Sequence, residues 1–443
     1  MPATPVRRRA HEARRRTHTP GTTRHTEPPE PFVNRDDATT ASTTPSGSAS
    51  DATTPVLLHG ARTPFGKFRG ALSSLSAADL GAHAIRGSLA AAGVDPADVD
   101  AVIMGQVVQA GSGQGPARQA SIGAGLGWDV PATTINKLCL SGLTAIIDAA
   151  RLVRTGEARV VVAGGQESMT NAPHLMLGSR AGVAFGDVTM ADALTLDGLR
   201  DPFDGQLMGE ATDRGCATRE IGREEQDEFA ARSHQRAAAA RTDGRFAAEI
   251  APVTIRPRRG EPVVVGEDEG IRPGTTVESL AALRPAFVED GTITAGSSSP
   301  LSDGAAAVVV ASKAWAIAHG VPWLAEIGAA GQTAGPDSSL HSQPARAAAR
   351  ALEREGMKAD ELDLVEINEA FAAVGIQSMQ DLGVSPDVVN VDGGAIALGH
   401  PVGASGARIA LHLALALHAR GGGNGVAALC GGGGQGDALV LRA

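Results

Sequence analysis

Apolar residues recur along this chain in two rhythms. Short runs such as Val56-Leu57-Leu58, Ala101-Val102-Ile103-Met104 and Val160-Val161-Val162-Ala163 have the length of buried strands and are bounded by turn residues. Between them, Ser76 to Ala92 and Ser141 to Val153 set small apolar side chains at helical spacing, with Ser76 placed as an N-cap. Strands and helices alternate, which predicts a layered α/β fold. From about Asn171 to Asp290 the rhythm breaks. Arg, Asp and Glu clusters dominate there, and only Arg223 to Ala240 reads as a sustained helix. Residues 172–290 are therefore expected to form an inserted, more polar domain. The regular pattern resumes with Gly304 to Val310 and continues to the end.

The pattern also repeats. Gly93 to Asp100 precedes a strand ending in Met104-Gly105, and Gly356 to Asp363 precedes one ending in Ile367-Asn368, an offset of 263 residues (356 − 93). Ser141-Gly142 and Ser405-Gly406 each open a helix at an offset of 264 (405 − 141), and the strand at Val160–Gly165 matches Gly425–Gly431 at nearly the same spacing. The order is preserved through all three, which predicts two copies of one α/β unit related by a pseudo-two-fold. One copy would comprise 55–171 with 291–318, the other 319–443. A ligand is expected where the copies face each other.

Residues 1–54 stand apart. They are rich in Arg, Thr, Pro and Ser, lack the apolar content to bury a core, and are expected to be a disordered extension. They carry eight Arg against six acids, a net of +2, so the remaining chain carries −12 of the total −10. An acidic body argues against nucleic acid as a partner. No apolar stretch is long enough to span a bilayer, so no membrane partner is expected. Aromatic residues are scarce and glycine is abundant at 56 residues, which implies a core of small aliphatics with closely approaching backbones. The three cysteines, Cys139, Cys216 and Cys430, are widely spaced and odd in number. They suit neither a disulfide framework nor a zinc ribbon and point to a reducing, cytoplasmic compartment. The histidines are isolated, and no metal set emerges.

Four segments could carry chemistry. Cys139, in Asn136-Lys137-Leu138-Cys139-Leu140-Ser141-Gly142, sits where a strand gives way to a helix, and a helix N-terminus favours the reactive thiolate. A buried structural thiol is the competing reading. His400 lies between Gly399 and Pro401 in a glycine-rich loop, a place that suits a base better than a packing residue; a surface turn is the alternative. Cys430 ends an apolar strand before Gly431-Gly432-Gly433-Gly434, whose N–H groups could hold an oxyanion. Asn368-Glu369 ends the strand Leu364–Ile367, where α/β proteins place site residues, although Asn368 also reads as a helix N-cap.

Taken together, Arg62-Thr63-Pro64-Phe65-Gly66, the Cys139 segment, Gly164-Gly165-Gln166-Glu167-Ser168-Met169, Arg284-Pro285-Ala286-Phe287, Asn368-Glu369-Ala370-Phe371, Gly399-His400-Pro401-x-Gly403-x-Ser405-Gly406 and Cys430-x-Gly432-Gly433-Gly434-x-Gly436 resemble the thiolase family over about Val56 to Ala443. The resemblance implies a thiolase-like five-layer αβαβα fold from two duplicated halves with an inserted loop domain. It also implies ping-pong acyl transfer between coenzyme A thioesters. Cys139 would be the nucleophile and His400 its base. Cys430 would move the α-carbon proton. Asn368, through a water, and His400 would hold the enolate, and the N–H groups of Cys139 and Gly432 the oxyanion. Condensation of two acetyl-CoA and thiolytic cleavage of 3-oxoacyl-CoA would use the same groups. Coenzyme A and acyl-CoA enter as substrates, with no permanently bound cofactor. Arg258 matches a family position near the adenine nucleotide. Met208, Phe287, Ala295, Gly296, Ser299 and Phe371, with Leu199 and Leu301, match positions along the pantetheine. Family members are commonly homodimers or homotetramers.

Two segments depart from the short-chain biosynthetic pattern. Leu207-Met208-Gly209 stands where His-Met-Gly is typical, and Ala295-Gly296-Ser297-Ser298-Ser299-Pro300 differs from the usual Asn-Ala-Ser-Gly. Leu207 removes a polar group from the pocket and opens a broader-chain degradative thiolase as the alternative. A ketoacyl-synthase-like condensing enzyme or a cysteine hydrolase would have no need of Cys430. A non-catalytic thiolase-like subunit would lose a catalytic residue, and all are present.

Overall fold

A computed structural model describes residues 52–257 and 259–443. The expected extension lies outside the described residues up to Asp51, and Arg258 lies outside them too. Nine strands follow one path through a ten-stranded sheet. They are β1 (Pro55–Arg62), β2 (Ala101–Gly105), β3 (Ala132–Ile135), β4 (Val160–Ser168), β5 (Ser302–Ser312), β6 (Ala325–Ala334), β7 (Leu364–Ile367), β8 (Asn424–Gly431) and β9 (Gln435–Arg442). Their spatial order is β3-β2-β4-β5-β1-β6-β9-β8-β7.

That order displays the duplication. Outward from the β1–β6 junction, one side reads β1-β5-β4-β2 and the other β6-β9-β8-β7. In each half the outer pair, β4–β2 or β8–β7, is parallel, and the strands nearer the junction pair antiparallel. Only β3 has no counterpart. The helices pair in the same way. They include α1 (Ala77–Ala92), α2 (Pro116–Ala124) and α3 (Ser141–Thr155), then α4 (Met208–Thr218) and α5 (Arg223–Thr242), then α6 (Gln343–Glu355), α7 (Ala372–Leu382) and α8 (Ser405–Ala419). The helices α3 and α8 begin 264 residues apart and have equal length.

Burial follows from this layering. The helices α3 and α8 lie between the two halves of the sheet, in one core cluster with Leu143, Ile146, Ile409 and Leu413. Both are buried over most of their length, as their largely small-apolar sequences require. The outer face of the first half is covered by α1 and α2, and that of the second by α6 and α7. The result is five layers, αβαβα. Ser76 caps α1 and forms a capping box with Asp79, and Gly93 ends the helix at φ 65°. Helices α2, α4, α6 and α7 are additions to the expected elements. In α6 the pattern is present, with alanines and Leu352 on the buried face and Arg350, Glu353 and Arg354 exposed.

The polar stretch between β4 and β5 is joined to both halves by buried charge. Arg62, fully buried at the end of β1, donates to Glu249 Oε1 at 2.7 Å and to both oxygens of Asp268 at 2.6 and 2.9 Å. Glu249 also meets His412 Nδ1 of α8 at 3.0 Å. Burial by itself would push the Glu249 carboxyl up, but the Arg62 and His412 charges hold it down at about 2. Removing one partner of such a cluster strands the others in a low dielectric. Arg62→Met is expected to lower unfolding stability by about 3–5 kcal/mol, read by urea denaturation. A loss below about 1 kcal/mol would show that the cluster is not a structural tie.

Candidate active site

Cys139 sits on a turn between β3 and α3. Leu138, just before it, adopts φ 53°, a left-handed conformation that costs a non-glycine residue of order 1 kcal/mol or more. Local bonds hold the turn. Ser141 Oγ donates to Leu138 O at 2.6 Å and accepts from Lys137 N at 2.8 Å, and Lys137 Nζ reaches the buried Asp437 at 2.6 Å. Gly432 lies against this turn. A Cβ there would approach Leu138 Cδ1 at 2.8 Å and Met208 Sδ at 3.2 Å, so a side chain at this position would push those two side chains aside.

His400 enters from the other half, on the loop before α8. Gly399 turns the chain into it at φ 114°. The imidazole Nδ1 lies 2.6 Å from Ser405 Oγ, and Nε2 lies 3.5 Å from Asn368 Nδ2. Asn368 ends β7, where its N–H donates to Ala428 O at 3.0 Å. It does not cap a helix, because α7 starts only at Ala372 with Phe371 as its N-cap residue. Asn368 Oδ1 is buried and has no protein partner. Glu369 turns away from the site and accepts from Ser233 Oγ, Asn390 Nδ2 and Ile396 N.

These residues converge. Cys139, His400 and Cys430 line one cavity of about 150 Å³. Its remaining wall is overwhelmingly apolar and includes Leu199, Leu207, Met208, Phe287, Leu301 and Phe371. Ser299 also lines it, while Ala295 and Gly296 do not. They lie in an adjoining pocket of about 310 Å³ that shares Ser298, Pro300 and Leu301 with the first. That second pocket brings in Lys67, His234 and Arg272, which sequence reasoning missed. No local motif marks them, since three distant segments meet only in the fold.

The electrostatics differ from the expectation of a dipole-stabilised thiolate. Burial pushes the Cys139 thiol up to about 11, against the N–H groups of Cys139 and Gly432, which point at its sulfur and pull it down. Burial likewise pushes the Cys430 thiol well above its ordinary range. Burial, then the nearby Arg408 charge, lowers His400 to about 4. Around neutral pH the resting site is therefore a neutral thiol facing a neutral imidazole. Glu167, whose segment carries the resemblance but no assigned role, ties the loop after β2 to the loop that carries His400. Its carboxyl accepts from Val107 N, Val108 N and Gly403 N at 2.9, 3.2 and 3.1 Å, and burial pushes it up to about 8. A second buried Cys–His pair, Cys216 and His341 at 3.9 Å, lines neither of these two pockets.

A neutral resting pair has a kinetic signature. Alkylation of Cys139 by iodoacetamide in a Cys430→Ser background should rise continuously between pH 7 and 9, because the thiolate fraction grows as pH approaches the raised value. A rate plateau near neutrality would instead reveal a preformed thiolate–imidazolium pair.

Known proteins share this architecture. A family model described as the thiolase N-terminal domain matches residues 56–314, and the thiolase C-terminal domain matches 321–443. The "Probable acetyl-CoA acetyltransferase" of Mycobacterium leprae (strain TN) is 60% identical over 391 residues, covering 88% of this chain and 100% of that protein. That of Mycobacterium tuberculosis (strain ATCC 25618 / H37Rv) is equally similar. The "Acetyl-CoA acetyltransferase" of Pseudomonas aeruginosa is 48% identical over 387 residues, 87% of this chain and 98% of that protein. With both domain models matched in order across the two halves, the chain belongs to the thiolase family.

Proposed function

We propose that this chain is an acetyl-CoA acetyltransferase that condenses two acetyl-CoA to acetoacetyl-CoA and catalyses the reverse thiolysis. The observation that carries this reading is the convergence of two thiols and one imidazole on one small apolar cavity, with the N–H groups of Cys139 and Gly432 directed at the Cys139 sulfur. His400 takes the Cys139 proton as sulfur attacks the acyl thioester. The N–H groups of Cys139 and Gly432 receive the oxyanion, whose stabilisation is worth several kcal/mol in a dry site. Cys430 gives its proton to the departing CoA sulfur, His400 keeps the proton taken from Cys139, and a second acyl-CoA enters. The Cys430 thiolate removes its α-proton while protonated His400 and, through a water, Asn368 hold the enolate oxygen; the carbanion attacks the Cys139 thioester, and the expelled Cys139 sulfur takes its proton back from His400. A high resting pKa at Cys430 is compatible with this role, because a strong base is needed for a weak carbon acid.

Coenzyme A would run from the cavity past Ser298–Leu301 into the adjoining pocket. Ala295 and Gly296 would flank the pantetheine there, and Lys67 and Arg272 would meet the phosphates. Arg258 is proposed at the adenine nucleotide. No resident cofactor is required by this scheme. We place the enzyme in the cytoplasm because all three cysteines are free. Exposed apolar side chains between β4 and β5, notably Leu177, Phe185 and Met190, support a homodimer or homotetramer, checked by sedimentation velocity.

A second reading, a thiolase of broader chain length, is favoured by Leu207, which adds apolar wall where a polar residue is usual. Thiolysis of 3-oxoacyl-CoAs of about four and about ten carbons separates the two, since each buried methylene contributes about 1–3 kcal/mol. Turnover of the short substrate alone fixes the acetyltransferase reading, and turnover of both favours the broader one. Cys139→Ala should abolish both directions. Cys430→Ser should still acquire an acetyl adduct from acetyl-CoA, seen by intact mass, yet fail to condense. An acetyl adduct on Cys139→Ala would overturn the nucleophile assignment.

A further inference from the structure

His400 can serve as a base only if the nitrogen facing the cavity carries no proton. An imidazole in solution exchanges between two neutral tautomers, and a buried one is set by what its nitrogens touch. Here a directional chain of hydrogen bonds settles the matter. At one end, Asn368 Nδ2, which can only donate, faces Nε2 at 3.5 Å. At the other, Nδ1 lies 2.6 Å from Ser405 Oγ, and that oxygen lies 3.1 Å from Pro401 O. A carbonyl oxygen has no proton to give, so the Ser405 proton belongs to Pro401. Nδ1 must then donate to Ser405, and Nε2 keeps its lone pair.

We propose that Ser405 is a positioning residue, whose hydroxyl holds His400 in the Nδ1–H tautomer and keeps Nε2 free as the base. The inference rests on the reading of His400 as that base. Ser405 is well suited to the task. It is 1% exposed, it opens α8, and its own N–H is tied to Pro401 O at 3.1 Å, so its oxygen cannot drift from the imidazole. The partner is a neutral hydroxyl where many acyl-transfer enzymes use a carboxylate. It therefore orients the ring without an added charge to raise its basicity. The imidazole nitrogens meet Asn368 and Ser405, with Arg408 as the nearby charge, while Ser302 Oγ accepts from the His400 backbone N–H at 3.2 Å; no carboxylate bonds to either ring nitrogen among the described residues.

The tautomer can be read directly in the intact protein. With ¹⁵N-histidine labelling, and His400→Asn to assign the signals by their loss, Nδ1 should show the shift of a protonated nitrogen and Nε2 that of a bare one. In Ser405→Ala the two should move toward an averaged pair. That variant should lose about ten- to a hundred-fold in kcat, as orienting partners of histidine typically contribute, with KM within about two-fold. Ser405→Thr should restore most of the rate. A bare Nδ1 in the unaltered enzyme, or a Ser405→Ala variant with unchanged kcat, would overturn the proposal. If Ser405→Ala does not fold, the spectrum of the unaltered protein decides alone. Full activity of His400→Asn would instead overturn the underlying reading of the base and leave the tautomer assignment standing.

Discussion

The site depends on how closely α3 and α8 cross at their N-termini. A Cβ on Gly142 would lie 2.8 Å from Ala407 N and 2.9 Å from Gly403 O, and one on Gly406 would lie 2.4 Å from Leu143 N. These are backbone atoms inside packed helices, so they have little freedom to yield. The two glycines occupy equivalent places in the duplicated halves, and each admits the backbone of the other's helix. Gly165 adds a third such contact, with its Cβ position only 1.8 Å from Gly403 O. Cys139 lies two residues before one helix and His400 five before the other. Contact between the helices thereby becomes contact between the loops that precede them.

Around this crossing, buried charges are paired with one another. The ion pairs of Arg62, Glu249, Asp268 and His412 tie the polar insert to both halves. Arg408 is paired with Glu366 at 3.0 Å. The cavity itself presents neutral groups in an apolar wall. In such surroundings a negative charge facing the Cys139 and Gly432 N–H groups would be attracted strongly, because a low dielectric screens it little. The same burial raises the Cys139 thiol.

Much of this was legible in the sequence where periodicity and local chemistry agree. The apolar runs of β1, β2 and β4, the Ser76 cap and the offset of the duplicated helices all depend on neighbours along the chain. The three reacting side chains also carried local signatures of turn and glycine. What could not be read were relations across the fold. His400 and Ser405 share one segment, but their spacing alone does not show that ring and hydroxyl meet, and nothing near Glu167 indicates three N–H groups from two other segments. The expectation of a thiolate at Cys139 failed for a related reason. A helix terminus can be inferred from sequence, but the depth at which the sulfur is buried depends on both halves and the insert. Asn368 was ambiguous between cap and site, and the register of α7 settles the geometry.

The division of labour between the halves has a consequence for how the enzyme comes into being. Equivalent helices open with inequivalent loops, so one copy supplies a sulfur and the other an imidazole and a second sulfur. Cys139 leaves the ribosome 261 residues ahead of His400 (400 − 139). During most of its synthesis the chain holds this thiol without the imidazole and second thiol that share its cavity in the folded protein. The cavity is completed only in the last stage of synthesis, so a chain truncated before the second copy carries one side of the site alone.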